Sequence, residues 1–207
     1  MAGWFDMHAF RYAGLPVIVL TAVACSGPTV ITTEDATYTP VPTSTAAPET
    51  TAAGNAHLVN AFDFAAEVDG QTGYYFTSPS GRWACAIEPR VRAGCQNAQS
   101  PHRIGVTAAP AEVPRPNGTL AAPNAIVVER DAEPRFVPLD TPAFGLDADA
   151  EPATVLPFNR ILAVAGFRCN VQETVGISCL SELSGQGFTF SADTLRLHYT
   201  DVPADAV

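Results

Sequence analysis

Hydrophobic and polar positions change rhythm three times along this chain. Tyr12 to Ala24 form an apolar run preceded by His8 and Arg11. It is too short to cross a bilayer and fits the apolar region of a secretory signal over residues 1–24. Asp6 is unusual in such a leader, so Met7 offers a second start. From Ser26 to about Ala56 the apolar clustering stops and Thr, Pro, Ala and Ser take over. This stretch buries too little apolar surface to offset chain entropy and reads as an extended, disordered stalk over 25–56, a candidate for O-glycosylation.

Alternation resumes beyond residue 70. Gly73 to Ile87 carries aromatic and β-branched residues around Ser78-Pro-Ser-Gly81, which predicts strand, turn, strand. The chain then reverses through Glu88-Pro-Arg-Val-Arg92 towards Cys95. Phe167 to Val171 and Ile177 to Leu180 repeat the pattern around Gln172 to Gly176, with Asn159 to Phe167 leading in. Gly187 to Ser191 and Thr194 to Tyr199 alternate as half-buried strands do. Residues 99–158 are rich in Pro and Ala, with strand candidates at Ala125–Arg130 and Arg135–Pro138; prolines predict loops packed along the sheet elsewhere in that stretch. His57 to Val68 is the one helical candidate. The predicted fold is mainly β: a small disulfide-stapled antiparallel sheet or sandwich over residues 57–201, built on two hairpins, with a tail over 202–207.

Cysteine usage sharpens this picture. Cys85/Cys95 and Cys169/Cys179 share the spacing C-x9-C, and Cys25 stands apart. Each C-x9-C closes a hairpin with its cysteines directly opposed, where Cβ atoms lie about 4.5–5.5 Å apart. Four cysteines allow three pairings. Two similar hairpins explain equal spacing and cross-pairing does not, which favours Cys85 with Cys95 and Cys169 with Cys179. Structural zinc prefers C-x2-4-C, and exported thiols oxidise, so no metal is expected.

Ala22-Val-Ala-Cys25 resembles the lipobox of bacterial lipoproteins, whose cysteine takes a diacylglyceryl thioether and becomes the mature N-terminus. Ala22 stands where that family usually has Leu, and the same Ala-x-Ala also fits ordinary cleavage and secretion. Parity favours lipid attachment at Cys25, since simple cleavage would leave a free thiol in an oxidising compartment. Two acyl chains, at about 0.8 kcal/mol per buried methylene, hold a protein on a membrane.

The chain carries 21 acidic residues against 11 arginines and no lysine, for a formal charge of −10. Without a basic run it is a poor candidate for nucleic acid or anionic lipid. Candidate chemistry is sparse. Leu183-Ser-Gly-Gln-Gly187 has the wrong order for a nucleophile elbow and no predicted helix. His57, His102 and His198 show no ligand spacing. Asp147 to Glu151 lacks the rhythm of a calcium loop, and Asn117-Gly-Thr119 reads as a turn. Tyr74, Phe76, Trp83, Phe188 and Phe190, at strand spacing, are expected in the core.

Ser78-Pro-Ser-Gly81 with Trp83-Ala-Cys-Ala-Ile87, then Gly166-Phe-Arg-Cys169, Gly176-Ile-Ser-Cys179 and Gly185-Gln-Gly-Phe188, resembles a domain of unknown function in actinobacterial, mycobacterial-type secreted proteins and lipoproteins. The likeness spans roughly residues 73–199. Arg82 replaces a common Asn and Gln186 a common His. The resemblance implies an envelope location and a β-rich fold, and no reaction.

Two function classes follow. The first is a membrane-anchored, non-enzymatic envelope module, needing no cofactor, that binds a glycan, lipid or protein or contributes to the envelope's structure. The second is an envelope hydrolase or other enzyme with an unrecognised site. The anchor, stalk and stapled domain, with no catalytic set in view, favour the first.

Overall fold

The computed structural model describes residues 57–140, 143–146 and 152–207. The apolar leader, Cys25, the stalk and the acidic run 147–151 lie outside them. Period-two alternation produces β1 (Ala65–Val68), β2 (Gln71–Thr77), β3 (Trp83–Glu88) and β4 (Arg92–Asn97). A small ribbon, β5 (Val113–Pro114) with β6 (Leu120–Ala121), interrupts the series before β7 (Ala125–Glu129) and β8 (Arg135–Val137). These strands, ribbon apart, join in the order β1-β2-β3-β4-β7-β8, all antiparallel. β9 (Thr154–Val155) adds in parallel beside Phe76 and Thr77 of β2. A second sheet is an antiparallel meander of β10 (Arg160–Val164), β11 (Phe167–Gln172), β12 (Gly176–Ser181), β13 (Gly187–Phe190) and β14 (Leu195–Arg196).

The two sheets share one apolar core. Phe76, Trp83, Ile87 and Ile126 meet Leu162, Val171, Ile177 and Phe188, all buried. Trp83 of β3 meets Phe190 of β13 edge to face, 4.9 Å between ring centroids. Both C-x9-C motifs close as expected. Cys85 pairs with Cys95 and Cys169 with Cys179, in register across their hairpins, with Cα atoms 4.1 and 4.2 Å apart. All four cysteines are fully buried between the sheets. They face inward because Trp83, Cys85 and Ile87 share one parity on β3, and Cys169 and Val171 share one on β11.

Neither outer face of the sandwich is left to water alone. On the first sheet Tyr75, Ala86 and Val127 form a second cluster under Phe144. Gln96 Oε1 accepts the backbone N–H of both Ala143 and Phe144, each at 3.1 Å, which anchors this Pro- and Ala-rich strap. Gly94 lies beneath it. A Cβ there would stand 2.5 Å from the Phe144 ring, so the sheet needs a residue without one. The expectation of loops packed along the sheet holds here, and both strand candidates form as β7 and β8.

The outer face of the second sheet is polar yet buried, with Asn170, Ser178 and Thr189 almost inaccessible. A C-terminal strap covers it. Asn170 Nδ2 donates to the Tyr199 hydroxyl and the Thr200 carbonyl, Gln172 Nε2 donates to Thr200, and Thr189 Oγ1 donates to the His198 carbonyl. Each buried polar group on this face thereby meets a partner.

Three expectations change. His57–Val68 is no helix: a single 3-10 turn, Ala61–Phe64, capped by Asn60 Oδ1, gives way to β1, because Ala65–Val68 pairs with β2 and Phe64 enters the core. Pairing across the sheet outweighs local helix preference. Thr194–Tyr199 is a strand only at Leu195–Arg196, and β13 is buried on both faces, not half-buried, because the strap lies over it. Within residues 202–207 Val202 is 7% exposed and Asn159 Nδ2 donates to the Val207 carbonyl, while Pro203, Ala204, Asp205 and Val207 are exposed.

Candidate functional site

Trp83, 6% exposed, belongs to the core. The Arg82 guanidinium lies 4.8 Å over its ring and donates to the Gly105 carbonyl, closing the edge of the sandwich. Tyr74, Phe76, Phe188 and Phe190 pack in the same core, as alternation predicts. Gln186 sits in the turn before β13, its carbonyl accepting from the Ser181 N–H.

The histidines fall on separate elements. His57 is buried at the start of the described chain and its Nε2 has no hydrogen-bond partner among the described residues. His102 is exposed in the turn after β4, and His198 is exposed on the C-terminal strap. Among the described residues no three His, Cys, Asp or Glu side chains gather in a way that holds a metal ion. Asn117 makes the expected turn, its Oδ1 accepting from the Thr119 N–H and hydroxyl.

Burial pushes the Tyr199 phenol well above its ordinary value near 10, assisted by the Asp201 carboxylate and opposed by the Asn170 hydrogen bond and Arg168. The folded state therefore holds this proton more tightly than the unfolded chain. Its contribution is complete below pH 10 and is lost as pH rises above 10, where the unfolded chain ionises first, at a slope of at most about 1.4 kcal/mol per pH unit. Denaturant titrations between roughly pH 9 and 12 check this, the ordinary phenol value lying inside that window. The wild type should lose stability more steeply than Tyr199→Phe, and parallel profiles would refute the buried phenol's role.

Two concavities among the described residues are candidates. One, about 250 Å³, is lined by β1, Tyr75 and Pro152–Thr154, and its border residues Leu146 and Pro152 adjoin residues outside the described set. The other, about 710 Å³, lies at one end of the sandwich and is wholly described. Its walls are the β3–β4 turn with Arg90, the end of β7 with Arg130, the β10–β11 turn with Ala165 and Gly166, and the end of β12 with Glu182 and Leu183. Backbone bonds tie these walls together: Arg90 N–H to the Ala165 carbonyl, Glu182 N–H to that of Gly166 and Arg130 N–H to that of Val91.

The β3–β4 turn explains how Arg90 reaches this cleft. Pro89 occupies the second turn position, Val91 N–H closes the turn on the Glu88 carbonyl at 3.1 Å, and Arg90 has φ +61°. That is the arrangement of a type II turn, whose third position favours glycine. An arginine in glycine's place was a signal present in the sequence; its partnership with Arg130, forty residues on, was not.

The chain matches no family model, no curated protein and no solved structure. Its own geometry carries the functional reading.

Proposed function

We propose that this protein is a lipid-anchored lipoprotein on the outer face of a bacterial cell membrane, presenting a stapled β-sandwich as a non-enzymatic binding module. One observation carries the reading. Two disulfides occupy Cys85, Cys95, Cys169 and Cys179, leaving Cys25, behind an apolar leader, as the odd cysteine. Stable disulfides suit an oxidising compartment, and an odd cysteine there calls for a modification or an intermolecular partner. The Thr- and Pro-rich stretch behind it is a spacer by composition.

Expression with labelled palmitate in a bacterium that processes lipoproteins tests this. Label should appear on the wild type and disappear in Cys25→Ser. Label that persists in the variant, or a wild-type protein found wholly in the medium, overturns the anchor.

A further inference from the structure

We propose that the cleft between Arg90 and Arg130 binds a phosphoryl group, carried by a small phosphate ester or by a lipid headgroup. The proposal deepens the binding-module reading by naming a ligand class, and it rests on the domain rather than on the anchor.

Charge is the first observation. Three glutamates near the cleft already have their own arginine: Glu88 with Arg92 at 2.8 Å, Glu129 with Arg135 at 2.5 Å and Glu182 with Arg168 at 3.5 Å. Arg90 and Arg130 pair with no carboxylate among the described residues, and exposed Asp131, next to Arg130, pairs with neither. Two arginines with no carboxylate partner among the described residues thus line one cleft of a chain whose formal charge is −10.

Backbone shape is the second observation. Four non-glycine residues among those described have φ in the left-handed region, and two of them, Arg90 (+61°) and Ala165 (+54°), line this cleft. Such a conformation is strained in a residue with a Cβ. Glycine would serve the Pro89 turn better, so the arginine is held there at a cost to the fold. The hydrogen bonds across the walls keep the opening in shape before anything binds, which lowers the entropy lost on binding.

The chemistry of the group follows from the donors. A carboxylate offers two oxygens in one plane, which one bidentate guanidinium engages; the oxygens of a phosphoryl group are set tetrahedrally and are shared readily by two guanidiniums. Phe167 gives an apolar floor, and Leu183, 62% exposed, stands at the rim for the carbon skeleton of the ligand.

Calorimetric titration of the full disulfide-bonded chain with inorganic phosphate and with glycerol 3-phosphate tests the proposal. Saturable binding, weakened by added salt, is expected, with Arg90→Gly and Arg130→Gln each weakening it roughly tenfold or more. Arg90→Gly should unfold no earlier than wild type, because glycine accepts φ +61° freely, so its binding loss is not a folding loss. A vesicle arm uses the full chain with Cys25→Ser. Preference for phosphatidylglycerol over phosphatidylcholine, lost in the arginine variants, assigns a lipid headgroup; binding of the soluble esters alone assigns a free ester. No saturable binding of any phosphate probe, affinity unchanged in both arginine variants, or equal affinity for glucuronate overturns the phosphoryl site. Failure here leaves the palmitate anchor standing, and loss of the label leaves this cleft standing.

Discussion

Replacing Cys85, Cys95, Cys169 and Cys179 together with alanine is expected to abolish cooperative folding at about 37 °C. Each bridge closes a short loop, with a sequence separation of 10. In the chain-entropy model such a loop stabilises by roughly 2.5–3 kcal/mol. Two bridges therefore supply about 5–6 kcal/mol, comparable to the whole stability of many domains. Packing adds to the loss, since all four sulfur-bearing side chains are fully buried between the sheets and alanine leaves space behind. Near-UV circular dichroism and denaturant titration read the outcome. Removing one pair alone should lower stability by about 2–4 kcal/mol and keep a cooperative transition. A four-alanine variant that unfolds cooperatively at the wild-type midpoint would show that the apolar core suffices without its staples.

Gly176→Ala should be among the most damaging single substitutions in the chain. Gly176 opens β12 with φ +103°, and a Cβ there would stand 2.1 Å from the Phe190 carbonyl oxygen and 2.8 Å from its carbon. Neither obstacle is a flexible side-chain end. Relief requires moving the β13 backbone, and Phe190 carries the ring that meets Trp83 across the core. A loss of about 3 kcal/mol or more is expected, from backbone strain and displaced packing together. Gly166→Ala is the control: its φ is +88°, but a Cβ there meets nothing within 4 Å. Strain alone, about 1–2 kcal/mol, should appear in that variant. Equal denaturant midpoints for the two variants would remove the steric argument and leave only the left-handed backbone.

Short-range pattern carried most of the strand assignment. Period-two alternation with turn residues at Ser78-Pro79 and at Gly176 placed β2, β3, β11 and β12 within a few residues. These contacts join residues within about ten positions of each other, so register and turn chemistry lie in one stretch of sequence. The segment 57–68 misled for the complementary reason. Its apolar residues fit a helical face, yet Ala65–Val68 belongs to a sheet edge whose partner, Gln71–Tyr74, decides its conformation.

The candidate cleft was less legible than the fold. Arg90 could be picked out as an arginine where a Pro-led turn favours glycine, but Arg130 closes β7 with no mark of its own. Only the packing of two sheets brings the end of β7 beside the turns at residues 89–91 and 165–166. Tyr199 is a similar case. Its sequence context reads as a half-buried strand, whereas its phenol is held by Asn170, twenty-nine residues earlier, beneath a strap that runs across the sheet.

The sequence by itself determined what depends on near neighbours: β-strands from alternation, two hairpins from C-x9-C, and with them the favoured pairing of the four cysteines. Tertiary structure alone decided what depends on distant ones. Gln96 captures the amides of Ala143 and Phe144 from forty-seven and forty-eight residues away, and that capture turns a proline-rich loop into a cover for the first sheet. Asn170 and Gln172 do the same for the C-terminal strap from about thirty residues away. The physical reason is common to both. A buried backbone or side-chain polar group must find a partner wherever the fold offers one, and that partner is set by how the sheets stack rather than by anything adjacent in the chain.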